Sequence, residues 1–486
     1  PAPSPRPPET MSETFAELVA CEDALMFVNA AITSTGQREF RACPGDQRLS
    51  LEFLHEYTLE NYREIYAAAL ALDVNDHNAA IIIRNLLVRA GGVGIERRRY
   101  EGRLIARRLE LMPQHRVYRV FRELRRRRVN NRRTRAIIRD WMAGRRDPSF
   151  DLVKYRGAVK IAVRHAHLRL PGEQRAFLFA PFSVRTFETP FFERWRRAHY
   201  EQAAVYELPY TVAEGFAAKH RIPREVFLER IRHKMTRLER LRLQESGGDA
   251  VRTDLGEMPL TRLASYVLSL SLDARAARRA ELTGALRTAA RRAAGAARGS
   301  WGRVAAVLDD SHSTTGSGQK RRRPLAVALA SHHLLEALAE EYTPLWTSGR
   351  TDELLLYPFG PTPLGQRIID ALETGPERLL IVSDGCDNAP PGLAGDVLRI
   401  WRTRLDPGHR SAPGQRVMIA HLNPVYDADD FDVRRLAPTV PTAGIRDAED
   451  LPTLVELARF AEGRVGVDGL RAHLDDRAAR FLGAAS

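Results

Sequence analysis

VAAVLDDSHSTTGSGQKRRRPLAVALASHHLLEAL, residues 304–338, changes character three times along its length. An apolar run of strand length stops at Asp309, and Asp310, Ser311, His312, Ser313, Thr314 and Thr315 follow it. A Gly/Ser loop comes next, then four consecutive cations from Lys320 to Arg323, then Pro324 at the start of a strongly apolar helical stretch. The pattern predicts a buried strand, a loop and a helix, the first unit of an α/β sheet. In such sheets ligands sit beyond the carboxyl ends of the strands, so Asp309, Ser311 and Ser313 fall where a site is expected. The alternate spacing turns these three toward one point and His312 away from it.

Working toward the carboxyl end, RVAAVLDD, YTPLWTS, ELLLYPF, RLLIVSDG, QRVMIAHLN and PTAGIRD are short strand-like runs. Helical stretches at 324–341, 363–373, 391–404 and 449–461 separate several of them. Alternation of this kind predicts a doubly wound, largely parallel α/β domain over residues 301–466. Two more oxygens lie at equivalent strand ends, Thr362 in FGPTPLG and Asp384 in IVSDG. Two acids and three hydroxyls without His or Cys form a hard-oxygen set suited to Mg²⁺, with Mn²⁺ or Ca²⁺ as the other ions such donors accept. The set carries too little charge to enclose the ion, so water or a partner's carboxylate completes it. The stretch 467–486 reads as a C-terminal helix packing back on the helical domain.

Working toward the amino end, residues 12–300 read almost entirely as helices of ten to twenty residues divided by Gly and Pro, from FAELVACEDALMFVNAA to MPLTRLASYVLSLSL. Many short helices in succession predict stacked antiparallel pairs, an all-α HEAT-like array or ring, although no fixed period is visible. LRTAARRAAGAARGS (286–300) is the expected last helix and joint. Residues 1–11, Pro-rich and polar, read as a disordered tail.

A chain of 486 residues exceeds one ordinary core. It has no apolar run long enough to cross a membrane. Three cysteines, Cys21, Cys43 and Cys386, show no CxxC spacing, and a reducing, cytoplasmic setting is expected. The net charge of +14 is unevenly spread: residues 101–200 hold 26 Lys and Arg against 9 Asp and Glu. Only five of the 75 cations are lysines, which matches an Arg-rich coding bias, but such a bias does not thin out the acids over the same hundred residues. The imbalance predicts a polyanionic partner, nucleic acid foremost. LRRRRVNNRRTR (124–135) is its densest part.

Asp309-x-Ser311-x-Ser313, then Thr362, then Asp384 resembles the metal-ion-dependent adhesion site of von Willebrand factor A domains. Gly360-Pro361-Thr362-Pro363 stands where that family usually has G-G-T-D. RRTRAIIRDWM (132–142), VKYR (153–156), IAVRHAHLRLP (161–171) and EMPLTRLASYV (257–267) are similar to the TROVE module of the Ro autoantigen family. That family joins a ring of HEAT-like repeats to a von Willebrand A domain in this order. The resemblance implies a non-enzymatic ribonucleoprotein scaffold. It would bind small structured (Y-type) RNA on a basic outer face and single-stranded 3′ ends in the ring, for RNA quality control or presentation to an exoribonuclease. Residues matching the module, or lying in the basic run, are the candidate RNA contacts: Arg127, Arg128, Arg132, Arg133, Arg135, Arg139, Lys154, Arg156, Lys160, Arg164 and His167. The alternative is a metal-dependent adaptor whose A domain captures a partner carboxylate, for example on an AAA+ ATPase. Neither reading involves a membrane or a small-molecule substrate. Walker A, dinucleotide and nuclease patterns are absent from the sequence.

Overall fold

The structure, a computed structural model, describes residues 10–39, 44–245, 254–406, 416–460 and 467–483. The expected tail therefore lies, up to residue 9, outside the described residues. The chain is mostly helical with one parallel sheet, and it divides into two compact units. One comprises Pro1–Asn78 with Asp254–Arg480, and the other Ala79–Thr253 with Phe481–Ser486.

In the first unit, β1 (Arg303–Leu308), β2 (Glu341–Trp346), β3 (Arg378–Val382), β4 (Met418–Asn423), a two-residue hairpin of β5 (Tyr426–Asp427) and β6 (Asp432–Val433), and β7 (Thr442–Gly444) follow in order. The main sheet runs β2-β1-β3-β4-β7, with every neighbouring pair parallel. The chain leaves β1 toward both sides, so the order reverses between β1 and β3 and opens a crevice at their carboxyl ends. Leu308 pairs with Val382, which brings Asp309 and Ser383 side by side just beyond the ladder.

Alternation along β1 explains its burial on both faces. Ala305 and Val307, with Leu379, Ile381 and Ile419, form one core with helices Leu364–Glu373 and Leu393–Ile400. On the other side helix Arg323–Leu338 packs on β1, β2 and β3, with helices Leu260–Ser269 and Arg279–Ala294 outside it. Covered on both sides, this helix is apolar nearly all round, as LAVALASHHLLEAL requires.

ELLLYPF was expected as a strand; it forms a short 3₁₀ turn, Glu353–Leu355, and extended coil. Its carbonyls at Leu354 and Leu356 accept bonds from the buried Arg275 guanidinium, at 3.1 and 2.8 Å. The expected boundary near residue 300 does not coincide with the division between units. Helices at 254–300 belong with the sheet, and so do the first 78 residues. The amino-terminal helices cover the β7 edge: Asn29 donates to Asp432, accepts from the Gly444 amide, and lies so close that a side chain at 444 would collide with it. A C-terminal helix is present, Val467–Gly483, and its Arg477 pairs with Asp73 at 3.4 Å.

The second unit holds the helices from Ile95–Leu111 to Arg237–Glu245. Its centre is aromatic. Trp141 meets Tyr118 and Phe121 edge-on with centroids 5.3 and 5.4 Å away, and its indole N–H donates to the Leu109 carbonyl at 3.1 Å. Asn131 caps helix Arg132–Ala143 by accepting from the Thr134 amide, and Asp147 caps Pro148–Lys154 with proline at the first turn.

Candidate functional site

Asp309, Ser311 and Ser313 follow β1 directly, Asp384 lies two residues beyond β3, and Thr362 lies in the loop before helix Leu364–Glu373. Asp309, Ser311, Ser313 and Thr362 are buried and His312 is exposed, but Asp310 and Thr314 are buried as well, so the burial does not alternate along the turn. Asp309 accepts from the Ser311 amide at 2.9 Å and from the Ser383 hydroxyl at 2.9 Å. The Ser311 and Ser313 hydroxyls lie 3.2 Å apart. Two backbone bonds hold the 359–362 loop against this turn, Phe359 to the Asp310 carbonyl and His312 to the Gly360 carbonyl, each 3.0 Å. Asn388 fixes Thr362 by accepting its amide proton at 2.8 Å. Asp384 accepts from the Cys386 amide at 2.9 Å. Burial, reinforced by the Asp384 charge, pushes the Asp309 carboxyl up to about 7.

Asp310 plays a different part. Thr347, the Ser348 amide and the Ser348 hydroxyl all donate to it, so it fastens the end of β2 to the loop. Gly316 turns the chain back at φ 65°, where an added side chain would strike the Lys320 carbonyl. Lys320 is paired with the buried Glu39, Arg322 donates to the Leu268 carbonyl and Arg323 to Asp447, while Arg321 is exposed.

The second unit contains a cleft of about 780 Å³, within the range of about 300–1,000 Å³ that suits organic ligands. Arg132, Arg135, Arg139, Arg145, His167 and Arg169 lie on its wall. Asp151 is its single carboxylate, and Arg145 and the Tyr118 hydroxyl already engage it at 2.6 and 3.1 Å. Among the described residues Arg132, Arg135 and Arg169 have no carboxylate partner. His167 reaches the cleft because it ends helix Arg156–Ala166 in the left-handed conformation, φ 52°. His165, two residues earlier, is buried and bonds the Val129 carbonyl at 3.0 Å.

The remaining candidate cations divide. Arg128 is exposed, and Arg127 pairs with Glu123 at 2.8 Å. Lys160 and Arg164 flank the Phe179 ring at 5.5 and 5.1 Å, a half-open cation–aromatic pair. Lys154 lies over Phe150. Two residues face inward. Arg133 donates to the buried Glu101 with both terminal nitrogens at 3.2 Å. Arg156 donates to the Phe177 and Leu178 carbonyls and stacks over Trp195 at 5.1 Å. These bonds make them framework residues. Arg145 and Arg169 were not singled out from sequence; their signal was only membership of the basic segment. Ser383 and Thr347 were missed because each is a lone residue directly after a strand end, β3 and β2, with no motif around it.

No protein-family model matches the chain, and no curated protein matches it.

Proposed function

We propose that this chain is an RNA-binding scaffold of the Ro type, without catalytic activity, and that RNA phosphates enter the arginine-lined cleft of residues 118–174. The observation that carries the reading is the convergence of Arg132, Arg135, Arg139, Arg145, Arg169 and His167 on one cleft whose lone acid is already paired. Guanidinium groups without carboxylate partners bind phosphate through forked hydrogen bonds and counterion release, with little dependence on base sequence. Lys160 and Arg164, both over the Phe179 ring, add two further cations to this unit. Small structured RNA and single-stranded 3′ ends are the ligands this chemistry suits, and an exoribonuclease is the partner the scaffold would serve. The reading includes a HEAT-like helical array and a von Willebrand A-like domain.

The crevice adds a divalent cation to the proposal. All its donors are oxygens, and a buried carboxyl beside a second acid, held up to about 7, is what a missing positive charge leaves behind. Asp309, Ser311 and Ser313, with Thr362 and Asp384, would hold Mg²⁺. The ion would offer an open position to a partner's carboxylate, which is the adaptor reading's contribution.

Ultraviolet crosslinking of nucleic-acid-free protein to structured and single-stranded RNA, followed by peptide mapping, tests the proposal. Crosslinks within residues 114–179 are expected. Crosslinks confined to residues 301–486, or none at all, overturn it.

A further inference from the structure

The helix Arg323–Leu338 buries two adjacent histidines, His332 and His333. His333 is 1% exposed and neither of its ring nitrogens has a hydrogen-bond partner among the described residues. Leaving a buried imidazole unsatisfied is costly, so a native structure that does so calls for an occupant. One ring nitrogen of His332, one of His333 and a carboxylate oxygen of Glu336 all lie within 4.8 Å of one another. The neighbours supply what a metal site needs beyond its ligands. Arg287, from helix Arg279–Ala294, donates to Glu336 Oε1 at 3.3 Å, while Oε2 faces His333 Nδ1 at 3.6 Å, beyond hydrogen-bond range. Tyr342 on β2 meets His332 Nδ1 at 3.2 Å and fixes that ring.

We propose that His332, His333 and Glu336 bind a transition-metal ion of the Zn²⁺ class, in the second half of a helix whose start adjoins the oxygen crevice. Two imidazoles and one carboxylate, leaving a fourth position for water, are a common zinc set; harder ions prefer all-oxygen donors such as those at Asp309. Tetrahedral ligands lie about 3.4 Å apart around zinc, given Zn–N bonds of about 2.1 Å. A side-chain shift of roughly 1 Å therefore brings the cluster onto the ion. Burial holds His332 far below the usual imidazole range, down to about 3, so it is a neutral donor at every ordinary pH.

The test is Zn²⁺ and Co²⁺ titration of the full chain after chelator treatment, by calorimetry and by cobalt visible absorption. One equivalent is expected, with a tetrahedral cobalt spectrum. Glu336→Gln, at the helix surface, should weaken binding about tenfold or more without altering the circular dichroism, and His333→Gln should do the same if it folds. Absence of binding to the wild-type chain overturns the proposal. So does equal binding by wild type and Glu336→Gln, or loss of the equivalent in Asp309→Asn alone, which would place the ion in the crevice.

Discussion

Asp309→Asn changes one oxygen for one nitrogen in the centre of the crevice, and its effect should depend on pH. The Asp309 carboxyl titrates near 7 in the folded chain, against an ordinary value of 3.8. Because the folded value is the higher one, the folded state keeps a proton that the unfolded state has released between about pH 4 and 7. Stability therefore falls as pH rises through that window and levels off above it. Three pKa units correspond to about 4 kcal/mol, an upper figure for a buried carboxyl beside Asp384. Asparagine stays neutral, so in EDTA the variant should match wild type near pH 4. It should exceed wild type by up to about 4 kcal/mol at pH 8. Urea unfolding followed by tryptophan fluorescence, at both pH values, measures the difference. Saturating Mg²⁺ should restore the wild type and leave the variant unmoved. A variant no more stable than wild type at pH 8 would refute the account of a charge-deficient crevice.

Two further outcomes concern framework residues. Arg275 donates to the carbonyls of Leu268, Leu270, Leu354 and Leu356 and has no carboxylate partner among the described residues, so Arg275→Met should cost about 3 kcal/mol or more by stranding them, read as a lowered urea midpoint. Arg156→Gln should lower thermal stability, costing about 1–3 kcal/mol, while leaving the salt dependence of RNA binding unchanged; a changed slope would return Arg156 to the phosphate contacts.

The strand–loop–helix unit at 304–338 was legible because burial on both faces writes itself as a continuous apolar run. The residues closing such a run must lie at the sheet's carboxyl edge. That logic placed Asp309, Ser311 and Ser313 together and turned His312 outward. It failed at ELLLYPF, an apolar run with no helix between it and the preceding strand β2, whose carbonyls serve Arg275 instead of a ladder. The division into units was not legible either. Helices that cover β7 and helices of the second unit both read simply as short helices divided by Gly and Pro, and contacts such as Asn29 with Asp432 and Gly444 separate them. Charge read from sequence was similarly blind to direction. Arg132, Arg133 and Arg135 look alike, yet Arg133 answers a buried glutamate 32 residues earlier while its neighbours line the cleft.

The central claim, that the cleft binds RNA through unpaired arginines, is tested most directly by the salt dependence of affinity. Fluorescence anisotropy of a labelled single-stranded RNA should be compared for wild type and Arg132→Gln/Arg135→Gln/Arg169→Gln across a range of salt. Each lost phosphate contact removes about 0.7 from the slope of log K against log salt, so the triple variant should lose about 2 while remaining folded. Equal affinity and equal slope in the folded variant would contradict the account.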